Sequence, residues 1–103
     1  MKIWLIAQAK HEQDYIYEWT EYHLKLGIDK IIIVDNEDKN SSVDYNEILK
    51  DFKNNIQIID HRGEKDIQNH IYDDIYHTIK PNECDYVGVI DIDEYVYGCA
   101  NIK

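Results

Sequence analysis

Apolar residues along the chain fall into two patterns that alternate: short unbroken runs, and stripes recurring every three or four positions. The runs are "IWLIA" (3–7), "KIIIVD" (30–35), "IQIID" (56–60) and "DYVGVID" (85–91). Continuous apolar runs of this length, rich in β-branched residues, predict strands covered on both faces. The first stripe starts near Gln13 and comprises Tyr15, Ile16, Trp19, Tyr22, His23 and Leu26, with Glu18, Glu21 and Lys25 elsewhere around the turn. It predicts an amphipathic helix ended by Gly27. After the polar loop "NEDKNSS", Ser41 and Asp44 are spaced like a capping box, and Tyr45, Ile48, Leu49 and Phe52 mark a short second helix. Ile67, Ile71, Ile75 and Ile79 form a single stripe closed by Pro81, which predicts a third helix.

Strands alternating with helices imply parallel pairing through right-handed crossovers. The expected fold is therefore a layered α/β domain with helices on both sides of a mostly parallel sheet. At 103 residues, with no repeat and no linker, the chain is expected to form one domain. In an open parallel sheet the carboxyl ends of the strands form the ligand-binding edge. Three of the four runs end in aspartate, at Asp35, Asp60 and Asp91, so these acids are expected on one rim.

Charge narrows the partners. Acids outnumber bases 21 to 11, for a net charge of −10. That balance argues against a nucleic-acid backbone or an anionic membrane surface, both of which need a basic footprint. An anionic ligand would need a cation to mediate. The amino-terminal "IWLIAQA" is too short for a signal peptide or a membrane span, so a cytoplasmic chain is expected. Cys84 and Cys99 lack the spacing of a metal finger or a disulfide framework and are read as free thiols.

Chemistry concentrates in "CDYVGVIDIDEYVYG" (84–98), where an apolar run stops at Asp91, Asp93 and Glu94. A strand that delivers two carboxylates two residues apart can aim both at one hard divalent cation. Mg²⁺ or Mn²⁺ often takes only one or two protein carboxylates, completing its shell with water and phosphate oxygens. Such a cation would recruit a diphosphate to an otherwise repulsive acidic surface. By itself an Asp-x-Asp pair is non-specific, since solvated acids at strand ends are common.

Two longer blocks add to the pair: "AKHEQDYIYEWTEYHLKLGIDKIIIVDNED", running on from the first strand, and "YVGVIDIDEYV". Together they resemble the nucleotide-binding half of GT-A glycosyltransferases, in particular family-2-like and family-92-like proteins, over essentially the whole chain. The resemblance implies a Rossmann-like sheet of order 3-2-1-4. It also implies a metal-dependent, inverting transfer of sugar from a nucleoside diphosphate to a hydroxyl of a glycan, lipid or protein. Asp93 would be the main ligand of Mn²⁺ or Mg²⁺, and Asp91 would contact the ribose and reach the metal through water. Glu12, Asp35 and Asn36 would line the base and ribose pocket, and Gln68 would lie near the sugar or diphosphate. Glu94 and His11 would support the site. His11 stands where relatives usually have asparagine, and Tyr95 replaces a phenylalanine. Complete relatives continue into an acceptor-binding half that supplies the general base. No residue of this chain can be assigned that role, so the expectation is a donor-binding half truncated before its acceptor half, or one completed by a partner subunit. The alternatives are a non-catalytic nucleotide- or protein-binding module of the same fold, and a phosphoacceptor receiver domain.

Other polar residues have simpler readings. His23 lies on an apolar stripe and is read as a core histidine with its ring satisfied. His70, Asp74 and His77 read as the solvated face opposite the isoleucine stripe, and Asp60 as a loop or helix-start residue. Trp4, Trp19 and the nine tyrosines read as core and rim. The segment from Asp35 has Lys39 and Asn40 where a calcium loop needs a ligand and a glycine, which excludes that loop.

Overall fold

The four apolar runs pair into one all-parallel sheet in the order β3-β2-β1-β4. The computed structural model describes residues 2–65, 71–79 and 83–96. Its strands are β1 (Ile3–Ala9), β2 (Lys30–Asp35), β3 (Ile56–Asp60) and β4 (Tyr86–Val89). The helices are α1 (Ile16–Leu26), α2 (Tyr45–Ile48) and α3 (Ile71–Thr78), and a 3-10 turn covers Lys50–Phe52.

Alternation along β1 and β2 divides the core into two layers, as the period of two requires. Ile3, Leu5, Ala7 and Ala9 of β1 and Ile31 and Ile33 of β2 pack with Ile16 and Trp19 of α1, Tyr45 of α2, Leu49 and Ile92. Ile6, Ile32 and Val34 face the other way, against Ile75 of α3, with Tyr72 and Ile79 beside them. Helices thus cover both faces. The connections β1–α1–β2 and β2–α2–β3 move across the sheet in one direction, whereas β3–α3–β4 returns past β2 and β1. A right-handed crossover in the return direction must use the opposite face, and α3 lies there.

Several elements differ in extent from the sequence pattern. β1 runs two residues past its apolar run, because Gln8 and Ala9 still pair with Val34 and Asp35. α1 begins at Ile16 after a turn, with the Glu12 carbonyl accepting from the Tyr15 and Ile16 amides. The expected 45–52 helix is a four-residue helix followed by a 3-10 turn, since Leu49 (φ −104°, ψ 19°) leaves helical geometry. Asp44, not a Ser41 box, caps α2, accepting from the Asn46 and Glu47 amides. β4 stops at Val89, short of Asp91: it pairs only with β1, and after the Ile90 amide bonds to the Ile6 carbonyl the chain turns away. The Ile67 start of the third stripe, Pro81 and Cys99 lie outside the described residues. Cys84 is a free thiol whose pKa is pushed up by burial and then by Asp85 and Glu83. Among the described residues no helix is long and apolar enough to cross a membrane.

Candidate functional site

Strand register sets the height of every acid on the carboxyl edge. Ala9, Asp35 and Asp60 align across β1, β2 and β3, while β4 ends lower, with Val89 level with Ile6. The segment after β4 therefore rises alongside the end of β1. There Gln8, Lys10 and Glu12 from one side and Asp91, Ile92 and Asp93 from the other line a cleft of about 280 Å³. The strand order reverses between β1 and β4, which is where ligands bind in open parallel sheets.

A hydrophobic anchor orients the two aspartates. Ile92 is 2% exposed and belongs to the α1-side core, so Asp91 and Asp93 on either side of it are left at the surface. Glu94 closes the turn: its amide donates to the Asp91 carbonyl at 3.0 Å, and its Oε1 accepts from the Asp91 amide at 2.9 Å. The following residues are stitched to α1. Trp19 Nε1 donates to the Glu94 carbonyl (2.8 Å), the Tyr22 hydroxyl donates to the Val96 carbonyl (2.6 Å), and His23 Nε2 accepts from the Val96 amide (3.2 Å). His23 Nδ1 lies 2.9 Å from the Trp19 carbonyl. Both bonds together require the neutral ring with its proton on Nδ1, and burial lowers the His23 pKa accordingly. His23 is thus a satisfied core histidine, and its ring also helps fasten the acidic segment to α1.

Electrostatics ties Glu12 to the same cleft. Its pKa is raised first by burial and then by Asp93, Glu37 and Asp91, with His11 pulling the other way. Repulsion of this kind defines a place where a cation is favoured. The donor set fits a hard divalent ion, since Asp91 and Asp93 offer carboxylate oxygens at an open cleft. Among the described residues no group of three or more His, Cys, Asp or Glu side chains encloses a metal position. A Mg²⁺ or Mn²⁺ site that is completed by water and phosphate does not need one.

The remaining candidates sit apart from this cleft. Asp35 lines a second cleft of about 400 Å³ with Ser41, Asp44, Ile58, Asp60 and Arg62 among others. Its Oδ2 accepts from Arg62 Nε at 2.8 Å, and its Oδ1 accepts from the Glu37 amide at 3.1 Å. Arg62 also donates to the carbonyls of Ser41 and Val43, so it pins the loop after β2. Asp60 Oδ1 accepts from the Arg62 amide, a loop role. Asn36 is 6% exposed, and its amide nitrogen donates to the His61 and Glu64 carbonyls while its Oδ1 accepts from Gln8 Nε2. Gln8 lines the Asp91–Asp93 cleft, so Asn36 shapes that cleft through Gln8. β1 lies between β2, which ends on Asp35, and β4, whose following segment carries Asp91. His11 is exposed, with its Nδ1 3.5 Å from Glu37 Oε1. Gln68 lies outside the described residues.

Sequence reasoning passed over Glu37, Arg62, Gln8 and Lys10. Nothing in a polar loop such as "NEDKNSS" marks its second residue as 1% exposed, and Glu37 is that residue. No family model, curated protein or solved structure matches the chain.

Proposed function

We propose that this chain is the donor-binding half of a metal-dependent GT-A glycosyltransferase, which takes a nucleoside diphosphate sugar together with Mn²⁺ or Mg²⁺. One observation carries the reading: Glu12 from the loop after β1 and Asp91 and Asp93 from the segment after β4 line one cleft where the strand order reverses. The family-like blocks around Glu12, Asp35 and Asp93 support it from the sequence side.

In this reading Asp93 holds the metal, Asp91 reaches the ribose and, through water, the metal, and Glu12 faces the nucleotide across the cleft. Asp35, locked by Arg62, bounds the neighbouring cleft in which the nucleoside would rest. Asn36 acts through Gln8. When bound, the metal neutralises charge on the departing diphosphate. Transfer itself needs an acceptor site and a general base supplied from beyond the residues assigned above.

Calorimetry with UDP and with GDP, each with and without Mn²⁺, tests the proposal. Binding should need the divalent ion, and Asp93→Ala should weaken it by about tenfold or more while thermal unfolding is unchanged. Metal-independent binding, or equal binding by the variant, would sink the assignment.

A further inference from the structure

The loops that follow β1 and β2 meet through one buried carboxylate. Glu37 lies two residues past β2 and is 1% exposed. Its Oε2 accepts from the His11 amide at 2.5 Å and from the Tyr45 hydroxyl. The Glu12 amide donates to the same Tyr45 hydroxyl at 3.3 Å, so consecutive amides of the β1–α1 loop converge on this pair. Glu37 Oε1 is buried without a hydrogen-bond partner, and His11 Nδ1 lies 3.5 Å away.

What the carboxylate holds is a strained turn. His11 has φ 59°, the only positive φ outside glycine among the described residues. L-residues avoid that region, with asparagine, aspartate and histidine the more tolerant exceptions. The turn immediately precedes Glu12, which lines the cleft with Asp91 and Asp93. Repulsion from those two aspartates would favour swinging Glu12 out, and relaxing the left-handed turn would let it do so. A buried carboxylate with an unsatisfied oxygen costs stability. Its bonded neighbours here are the Tyr45 hydroxyl and the backbone of the loop carrying Glu12.

We infer that Glu37 is a positioning residue for the cation cleft: through the His11 amide and the Tyr45 hydroxyl it holds the left-handed turn that keeps Glu12 opposite Asp91 and Asp93. The inference rests on the reading of that cleft as a divalent-cation and nucleotide site. It assigns Glu37 no direct contact with either ligand.

The test uses Mn²⁺ alone, followed by the electron paramagnetic resonance of the free ion, together with amide hydrogen exchange. Glu37→Leu removes both acceptor contacts. Exchange at the His11 and Glu12 amides should accelerate about tenfold beyond any change at the Ile6 and Ile33 amides. Mn²⁺ affinity should fall about tenfold, as it does when groups that orient a metal site are lost. Adding His11→Gly, which adopts the turn without help, should restore most of that affinity. Glu37→Gln keeps an acceptor oxygen and should stay within about threefold of the parent affinity, and it serves as the comparison if Glu37→Leu does not fold. Unchanged exchange at His11 and Glu12, failure of His11→Gly to restore binding, or equal loss in Glu37→Gln and Glu37→Leu would each overturn the inference. If the parent protein binds no Mn²⁺, the reading of the cleft fails by itself, and the exchange data then decide alone whether Glu37 holds the loop.

Discussion

Replacing Ile92 by alanine tests the device that turns Asp91 and Asp93 outward. Ile92 is 2% exposed and packs in the layer that contains Trp19 and Tyr45. The substitution removes three buried carbons, a transfer term of about 2.4 kcal/mol at ~0.8 kcal/mol per carbon. The cavity left beside the sheet adds to it, so the expected loss is about 3 kcal/mol, inside the usual range for large-to-small core changes. Ile92→Val should cost about 1 kcal/mol on the same reasoning. Against a typical domain stability of roughly 5–15 kcal/mol, the alanine variant gives up a large fraction. Urea denaturation followed by the fluorescence of Trp4 and Trp19 reads it as a lower midpoint at unchanged slope. Exchange of the Trp19 indole proton gives a local measure, because that proton bonds to the Glu94 carbonyl two residues past the substitution. A loss below about 1 kcal/mol would show that Ile92 is not a core residue. The orientation of the two acids would then need another cause.

Two further outcomes follow from buried contacts. The His23 pKa is lowered by burial, so below its unfolded value near 6.5 the unfolded chain binds more protons than the folded one, and stability should fall as pH drops through and below that point. Measured as the difference between the parent and His23→Gln, urea stability should lose this slope between about pH 5 and 6.5, and an identical pH profile in the two proteins contradicts the neutral ring. Arg62→Lys cannot reproduce the fork that reaches Asp35 and two carbonyls, so a double-mutant cycle with Asp35→Asn should give a coupling of about 1 kcal/mol, discounted for the open cleft beside it. Zero coupling would mean that the contact between Arg62 and Asp35 adds nothing to stability.

Much of the frame was legible because burial on both faces leaves a simple mark. "KIIIVD" could be read as a central strand, and its six residues are β2, with five of them buried. The edge strand was harder. "DYVGVID" looks alike to its end, yet pairing on one side only lets the chain leave at Val89, so the aspartate expected on a strand tip stands in a loop. The strand order puts Asp35 and Asp91 on either side of β1, and a list of strand-end acids cannot show that they serve different clefts. Glu37 was illegible for another reason: its burial depends on Tyr45 and His11, which are separated from it by 8 and 26 positions.

The acidic surplus looks different once each carboxylate is followed to its partner. Asp29 and Asp85 accept from the amides of Ile3 and Lys2 and so fix the start of β1. Asp35, Glu37, Asp44, Asp60 and Glu94 accept from amides of Glu37, His11, Asn46, Arg62 and Asp91, where the backbone leaves regular structure. A short side-chain acceptor satisfies donors that loops would otherwise strand, and aspartate supplies it with added strength from its charge. These acids are accounted for by the fold. The carboxylates of Glu12, Asp91 and Asp93 accept no hydrogen bond from any described residue, although all three line one cleft, and burial followed by Asp93, Glu37 and Asp91 raises the Glu12 pKa. Unbonded acids scattered on a surface repel weakly through water, whereas Asp91 and Asp93, turned outward by the buried Ile92, add to burial in raising the Glu12 pKa at the cleft where the strand order reverses. In the proposed reading the buried Ile92 keeps Asp91 and Asp93 at the cleft where a cation would bind.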